Sequence, residues 1–166
     1  MEDNVKLRHL ELRDAPFMLE WMHDIDVISN MRTDFASFAM SDCERFISDS
    51  NKDEQNIHLA IVDENDEYMG TVSLKKIRNC KAEFAITVRS CAMGKRFSEY
   101  GMEEMLRIGF EELGLVCIYW CVSPENKRAL RFYDKHKYTR TDSAPDEATG
   151  YSDEQICEYI WYEALK

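Results

Sequence analysis

Apolar and polar residues alternate in several short stretches of the chain, and this period of two predicts β-strands. Single strands are predicted over residues 4–12, 81–89, 115–123 and 156–165, and a further two within residues 57–77. The polar run DENDE separates these last two strands and predicts a turn between them. We therefore expect a sheet of about six to seven strands.

Other stretches carry the signals of helices. Asp14 is a candidate cap for a first helix, and Ser41 followed by Glu44 predicts a capping box for a second. Apolar residues recur at helical spacing over residues 102–113, and a last helix is predicted after Pro124. Strands and helices in this order predict an α+β (mixed α/β) fold, with a mostly antiparallel twisted sheet and about four helices.

No repeat, linker or low-complexity tract divides the chain, which predicts one domain over residues 5–166. Residues 141–155 are polar and lack periodicity, so we predict a surface loop between the closing strands. The chain shows neither a signal or transit segment nor an apolar run of membrane-spanning length. This pattern predicts a cytoplasmic protein without a membrane partner.

The chain carries 32 acidic and 21 basic side chains, which gives a formal net charge of −11 with histidine neutral. Binding a polyanion needs a basic face, so this charge argues against nucleic acid as the main partner. The charge is compatible with a cationic small substrate, although most acidic proteins are simply soluble. The six cysteines show no CxxC pair and no metal-ligand spacing, which predicts reduced thiols and no metal.

A Gly-Lys pair stands directly ahead of the long amphipathic helix that is predicted to start near residue 97. The first N–H groups of a helix lack internal partners, and the helix dipole adds partial positive charge there. Residues 94–98 are therefore a candidate phosphate-binding turn, with Lys95 and Arg96 adding charge. The signal is weak alone and is strengthened by the strand before it and the strand and helix after it.

This combination resembles the GNAT superfamily of acyl-CoA-dependent N-acetyltransferases. The family pattern is a strand, a Gln/Arg-x-x-Gly-x-Gly/Ala turn and a helix, followed later by Asn-x-x-Ala-x-x-x-Tyr. Residues 82–105 match the strand and turn, and Asn126, Ala129 and Tyr133 match the later motif in type and spacing. The chain looks most similar to the ribosomal-protein and small-amine N-acetyltransferase branch, over roughly residues 5–164.

The turn departs from the family pattern. Met93 stands at the Gln/Arg position, Arg96 at the first glycine and Ser98 at the second small residue. A Cβ atom at position 96 that points at the diphosphate would crowd it. Either Arg96 takes a helical backbone and turns its side chain outward, where it could meet a phosphate, or the pocket is impaired. We favour the first arrangement, because a helical backbone suits arginine and a guanidinium pairs well with phosphate.

The resemblance implies individual roles in transferring an acetyl group from acetyl-CoA to an amine. The strand end at residues 86–89 would bind the pantetheine arm through its backbone, with the N–H of Val88 facing the thioester oxygen. Tyr133 matches the general acid that protonates the departing thiolate, and Asn126 would bond the pantetheine or an ordered water. The residues implied for cofactor binding are Ile86, Thr87, Val88, Arg89, Gly94, Lys95, Arg96, Phe97, Ser98, Glu99 and Asn126.

The general base is a separate expectation. Glu83 shares a strand face with Thr87 by the period of two, and we predict it as the base, acting through water, with a solvated charge as the alternative. His23 and Asp24 are the other candidates. Residues 16–50 combine aromatic and acidic side chains that suit a cationic amine, although these residues equally form a helix core. The predicted acceptor-binding residues are Trp21, His23, Asp24 and Phe35.

Three classes of function follow from these observations. The first is an acetyl-CoA-dependent N-acetyltransferase acting on a small-molecule amine, such as an amino sugar, its nucleotide-linked form or a polyamine. A protein N-terminus is the alternative acceptor, and pairing of the chain into a homodimer is left open. The second class, a non-catalytic acyl-CoA-binding module, is motivated by Met93 and Arg96. The third, a cysteine-based redox or metal protein, rests only on the number of cysteines.

Overall fold

In the computed structural model, which describes residues 4–166, seven strands form one sheet in the order β1-β2-β3-β4-β5-β7-β6. Neighbouring strands are antiparallel except β4 and β5, which are parallel. The predicted fold class, a mixed α/β domain with a mostly antiparallel sheet, is confirmed. The strands are β1 (Lys6–His9), β2 (Ile57–Val62), β3 (Tyr68–Arg78), β4 (Lys81–Val88), β5 (Cys117–Val122), β6 (Thr139–Thr141) and β7 (Ile160–Leu165).

The helices outnumber the sequence prediction by two short ones, α2 and α6. The helices are α1 (Ala15–Met22), α2 (Ile25–Ile28), α3 (Met40–Ser50), α4 (Phe97–Arg107), α5 (Lys127–Lys135) and α6 (Asp153–Glu158). Helix α6 lies where a loop and the start of the last strand were predicted, so that strand begins only at Ile160. Ser152 and Gln155 form a capping box for α6, a signal that the sequence analysis missed.

One predicted helix cap is wrong, and the other lacks the predicted cap bond. Asp14 is the N-cap residue of α1, but its buried carboxylate accepts hydrogen bonds from the guanidinium of Arg8 and the N–H of Glu11 instead of from the helix. Ser41 lies inside α3, whose N-cap is Ala39, and the N–H of Ala39 donates to the Asp42 carboxylate at 2.8 Å. In both cases the hydrogen-bond partners differ from those that the sequence suggested.

Helices cover both faces of the sheet, and the alternation along each strand decides which side chains meet them. Helices α4 and α5 pack on one face, around a core that includes Leu74, Phe84 and Trp120. Helices α1 and α3 pack on the other face, against Ala60 and Tyr68. Strand residues that alternate with the first set therefore point to the second face. Within residues 4–166, no helix has the length and apolar character needed to cross a membrane.

The parallel pair β4–β5 is short, and its early end creates the gap in the sheet. Pairing extends only from Lys81 opposite Cys117 to Glu83 opposite Tyr119. Beyond Glu83, β4 stays paired with β3 up to Val88 but has no partner on its β5 side. A wedge therefore opens in the middle of the sheet, with the unpaired edge of β4 along one side.

Candidate active site

The unpaired edge of β4 is available for an extended ligand. Along residues 84–88, the backbone N–H and C=O groups of alternate residues face the wedge rather than β3, and such groups need partners. On the opposite side, Gly70 allows close approach of β3, because a Cβ atom there would lie 2.5 Å from the carbonyl oxygen of Thr87. Ile86, Thr87 and Val88 thus lie in a strand that is paired with β3 on one edge and unpaired on the other.

The turn from β4 into α4 has a left-handed backbone at two positions. Gly94 has φ 75° and an added Cβ atom there would meet nothing within 4 Å, so the turn faces open space. Arg96 has φ 65° and ψ 0°, which corrects the expectation of a helical backbone at this residue. Its side chain does turn outward, with 74% of it exposed. Arg96 therefore adopts the left-handed backbone that glycine usually provides, at a strain of about 1–2 kcal/mol.

The turn offers backbone N–H groups and cations to an anion. The N–H groups of Phe97, Ser98 and Glu99 open α4 and have no partner within the helix. Lys95 is exposed beside them. The carboxylate of Glu99 is taken up by Arg96 at 3.1 Å and by His136 at 3.5 Å, and its pKa is lowered chiefly by the Arg96 hydrogen bond. These groups fit a diphosphate, which needs N–H donors and positive charge.

Two residues implied for cofactor binding have other partners. The guanidinium of Arg89 is buried and pairs with Glu20 at 2.6 Å and Glu67 at 2.8 Å, while its N–H donates to the carbonyl of Met69. The side-chain oxygen of Asn126 caps α5 by accepting from the N–H of Ala129 at 3.2 Å. Arg89 therefore ties β4 to α1 and the β2–β3 turn, and Asn126 fixes the start of the helix that carries Tyr133.

Tyr133 lies on α5 in an aromatic cluster beside β5. Its ring centroid is 5.3 Å from that of Trp120 and 5.2 Å from that of Tyr162. Burial raises the pKa of the phenol well above its ordinary value, so that the hydroxyl keeps its proton at neutral pH. A buried phenol that keeps its proton is available as a hydrogen-bond and proton donor to a departing thiolate.

Glu83 is the last residue of the parallel pair, so its carboxylate stands at the apex of the wedge on the face opposite α4. The carboxylate is 4% exposed and accepts from the Nζ of Lys76 at 3.0 Å and the hydroxyl of Tyr151 at 2.5 Å. The Nζ of Lys75 lies 3.8 Å away. Both carboxylate oxygens of Glu83 are therefore engaged by donors, and a base acting through water would have to compete with these contacts.

The predicted acceptor-binding residues mostly serve local structure. Trp21 is buried and donates its indole N–H to the hydroxyl of Tyr68 at 3.0 Å. Phe35 packs edge-on against Trp21, with ring centroids 5.0 Å apart. His23 bonds the carbonyl of Phe38 at 2.8 Å, and Asp24 caps α2 through the N–H of Asp26 at 3.0 Å. This outcome matches the alternative that these residues form a helix core and its ends.

The sequence analysis missed three residues near Glu83 at the apex: Lys76 and Tyr151 contact its carboxylate, and Arg32 contacts Tyr151. Tyr151 comes from the β6–α6 connection, Arg32 follows α2, and Lys76 lies within a register shift of β3. The guanidinium of Arg32 lies 3.9 Å from the ring centroid of Tyr151 and donates to the carbonyl of Gly150 at 2.9 Å. No spacing in the sequence connects these residues, because they come from two separate connections and a strand.

Cysteines do not form a metal or redox centre in the described part of the chain. All six are free, and no group of three or more His, Cys, Asp or Glu side chains within residues 4–166 converges on a metal site. Cys121 lies near the apex, where burial raises the pKa of its thiol to about 11. Such a thiol is almost entirely protonated at neutral pH and is a poor nucleophile.

The described residues thus combine a splayed parallel pair, a turn with free N–H groups at a helix start and a buried phenol on α5, an arrangement compatible with an acyl-CoA-dependent transferase. A sequence profile of the acetyltransferase (GNAT) domain matches residues 4–139, and the chain belongs to this family. The expectation of an enzyme of the acetyltransferase class is confirmed with it. No curated protein matches the chain in sequence.

Solved structures show the same fold. A spermidine N-acetyltransferase from Vibrio cholerae in complex with CoA and spermine matches with a TM-score of 0.80 at 20% identity, over 97% of this chain and 95% of that chain. A GNAT-family acetyltransferase from Bacillus anthracis matches with a TM-score of 0.78 at 17% identity, over 97% and 94%. A dodecameric form of the Vibrio cholerae protein matches with a TM-score of 0.72 at 20% identity, over 97% and 93%.

Proposed function

We propose that this chain transfers an acetyl group from acetyl-CoA to the primary amine of a small molecule, such as an amino sugar or a polyamine. The observation that carries the proposal is the free edge of β4 at residues 84–88, which leads directly into the turn at residues 94–98. This arrangement suits a ligand with an amide-bearing arm followed by a diphosphate. The spermidine N-acetyltransferase of similar fold supports a small amine as the acceptor class.

The proposed cofactor contacts are mainly backbone contacts. Amides of the pantetheine arm pair with residues 86–88, and the N–H of Val88 faces the thioester oxygen, where negative charge develops during attack. The diphosphate accepts from the N–H groups that open α4, with Lys95 and Arg96 adding positive charge. Gly94 leaves open space in front of the turn for the phosphates.

In the chemical step, the neutral amine nitrogen attacks the thioester carbonyl carbon and the C–S bond breaks. The departing thiolate takes the phenolic proton of Tyr133, and the proton released by the new amide nitrogen restores that phenol through solvent. The reaction is therefore balanced in protons. Helix α5 holds Tyr133 in place through the Asn126 cap and the aromatic cluster around Trp120.

Glu83 has a positioning role in this proposal rather than that of an open base. Its carboxylate orients Lys76 and Tyr151 at the apex of the wedge, next to the end of the cofactor strand. Glu83→Gln would keep the shape of the side chain but leave the partly buried ammonium of Lys76 without its counter-charge. We expect a loss of acceptor affinity that exceeds the loss of acetyl-CoA affinity.

The test is thiol release from acetyl-CoA with a panel of amines, with the acetylated product detected by its mass. Turnover of a small amine, with acetyl-CoA saturating, supports the proposal. Saturable CoA binding without turnover on any amine would identify a non-catalytic acyl-CoA-binding module. Turnover of peptides alone would identify a protein N-terminal acetyltransferase. Pairing of the chain with itself stays a prediction, checked by light scattering.

A further inference from the structure

Five side chains from four connections and strands meet at the apex of the wedge, on the face opposite α4. We call this group the apex cluster; its members are Arg32, Lys75, Lys76, Glu83 and Tyr151. Glu83, its central member, is the last residue of β4 that pairs with β5, so the cluster lies at the closed end of the wedge, toward which the thioester end of the proposed cofactor arm points. The chemistry of the apex cluster therefore bears on the acceptor.

The apex cluster holds three cations and one carboxylate, a net charge of +2. Glu83 pairs with Lys76 at 3.0 Å and is only 3.8 Å from Lys75. Among residues 4–166, Arg32 has no carboxylate within 4.0 Å; it contacts the carbonyl of Gly150 and the ring of Tyr151. The protein is strongly acidic as a whole, so a local excess of positive charge on this face is a specific feature.

Lys76 already fills the place that a substrate ammonium would take. Its Nζ contacts the Glu83 carboxylate and the carbonyl of Thr149, and lies 5.1 Å from the ring centroid of Tyr151. Carboxylate, carbonyl and aromatic face are the groups that bind ammonium ions. The left-handed backbone of Lys76, with φ 54°, keeps this side chain beside Glu83. An acceptor ammonium would have to displace it.

Lys75 shares the Glu83 carboxylate with Lys76, which lies closer to it. About a third of the Lys75 side chain, 32%, is exposed. Burial lowers the pKa of Lys75, the charge of Glu83 raises it, and the like charges of Lys76 and Arg32 lower it further. An anion at this position would relieve the repulsion among the three cations.

We propose that the acceptor carries, besides its amine, an anionic group of the carboxylate or phosphate type, and that Lys75 and Arg32 bind this group. The proposal rests on the proposed acetyl transfer and narrows its acceptor. It favours a phosphorylated amino sugar or an amino acid over a polyamine. In the alternative explanation, Lys76 and Arg32 only hold the loop at residues 149–151 by bonding its carbonyl groups. That role needs no anion, and it predicts that the protein shows no preference among acceptors.

The experiment compares four small amines of similar size on the intact protein saturated with CoA or acetyl-CoA. The acceptors are γ-aminobutyrate, aminoethyl phosphate, aminobutanol and diaminobutane. Calorimetric binding to the CoA complex is measured beside turnover with acetyl-CoA. The variants are Lys75→Met, Arg32→Met and Arg32→Lys. Lys81→Met is the matched control, because Lys81 is equally exposed at 33% and has a carboxylate partner of its own, Glu147.

The expected result is tighter binding of one of the two anionic amines than of aminobutanol, and weakest binding of diaminobutane. Lys75→Met and Arg32→Met should each weaken binding of the anionic amine by about tenfold and change the affinity for aminobutanol little. Arg32→Lys should restore much of the loss, and Lys81→Met should have little effect. Comparison of γ-aminobutyrate with aminoethyl phosphate distinguishes a carboxylate from a phosphate.

Other outcomes separate this inference from the proposed function. Acetylation of diaminobutane or aminobutanol in preference to both anionic amines would overturn the inference and leave the transferase proposal standing. Selective binding of an anionic amine without acetyl transfer would support the anion site and overturn the proposed activity. Failure of all four amines to bind or react would overturn the inference.

Discussion

The conformation of Arg96 provides the sharpest test of the anion-binding turn. Its backbone is left-handed, with φ 65°, and its exposed guanidinium pairs with Glu99 at 3.1 Å. Arg96→Gly removes a strain of about 1–2 kcal/mol, while the greater freedom of glycine in the unfolded chain offsets about 0.5–1 kcal/mol of that gain. Arg96→Ala keeps the strain. Both variants lose the same exposed ion pair, worth about 0.3–0.5 kcal/mol.

We therefore expect Arg96→Gly to be more stable than Arg96→Ala by about 0.5–1 kcal/mol, or about 2–3 °C in Tm. Urea unfolding followed by circular dichroism measures this difference. The matched control is the same pair of substitutions at Arg107, which is exposed in the last turn of α4 and pairs with Glu104. There the backbone is helical, and the alanine variant should be the more stable by about 1 kcal/mol.

We therefore predict that the glycine variant is the more stable one at position 96 and the alanine variant is the more stable one at position 107. If alanine is at least as stable as glycine at position 96, the left-handed assignment is wrong and the turn has the helical form that the sequence suggested. CoA affinity is measured on the same variants. Because the Arg96 side chain points outward, Arg96→Gly should bind CoA within about threefold of the parent. A large gain in affinity would mean that the Cβ atom crowds the diphosphate.

Three further predictions test the remaining parts of the site and the core. Tyr133→Phe should lower kcat by about 100-fold or more while the KM for acetyl-CoA changes little, because only protonation of the thiolate is lost. Tyr138→Phe, in the same aromatic cluster, is the control and should leave kcat nearly unchanged. Equal kcat values for the two variants would remove Tyr133 from the mechanism. Ser98→Asp should weaken CoA binding in a calorimetric titration by placing negative charge at the start of α4, whereas Ser48→Asp on α3 adds the same charge elsewhere and should not. Burial lowers the pKa of His58 to about 4. The unfolded chain takes up a proton at His58 below about pH 6.5, whereas the folded protein does so only near pH 4, so the free energy of unfolding should decrease by up to about 3 kcal/mol as the pH is lowered from about 6.5 to about 4. The free energy of unfolding of His58→Gln should depend less on pH over this range.

Strand positions and the fold class were predictable because they depend on local alternation. In β4, Phe84 lies in the core against α4 and α5, while its neighbour Glu83 points to the other face, as the period of two requires. The motif spacing from Asn126 to Tyr133 likewise predicted a helix, and that helix brings Tyr133 beside β5. Local patterns of this kind need no knowledge of distant residues.

The two predicted helix caps show where local patterns fail. Ser41 and Asp14 have the right chemistry for helix caps, yet Asp42 and Arg8 provide the better partners once the chain is folded. Short α6 lacks enough residues to show a periodicity, and only the capping box at Ser152 marks it. Competing partners of similar chemistry cannot be ranked without the tertiary structure.

The sequence alone determined that this chain forms a mixed sheet with a Gly-Lys turn ahead of an amphipathic helix, because periodicity and motif spacing are local properties of the backbone. Only the tertiary structure decided the chemistry at the apex. Lys76 of β3 and Tyr151 of the β6–α6 connection contact Glu83, Arg32 contacts Tyr151, and Glu83 is therefore a buried carboxylate held by donors. Charges that meet across long sequence separations change each other's role, and the fold determines which of them meet.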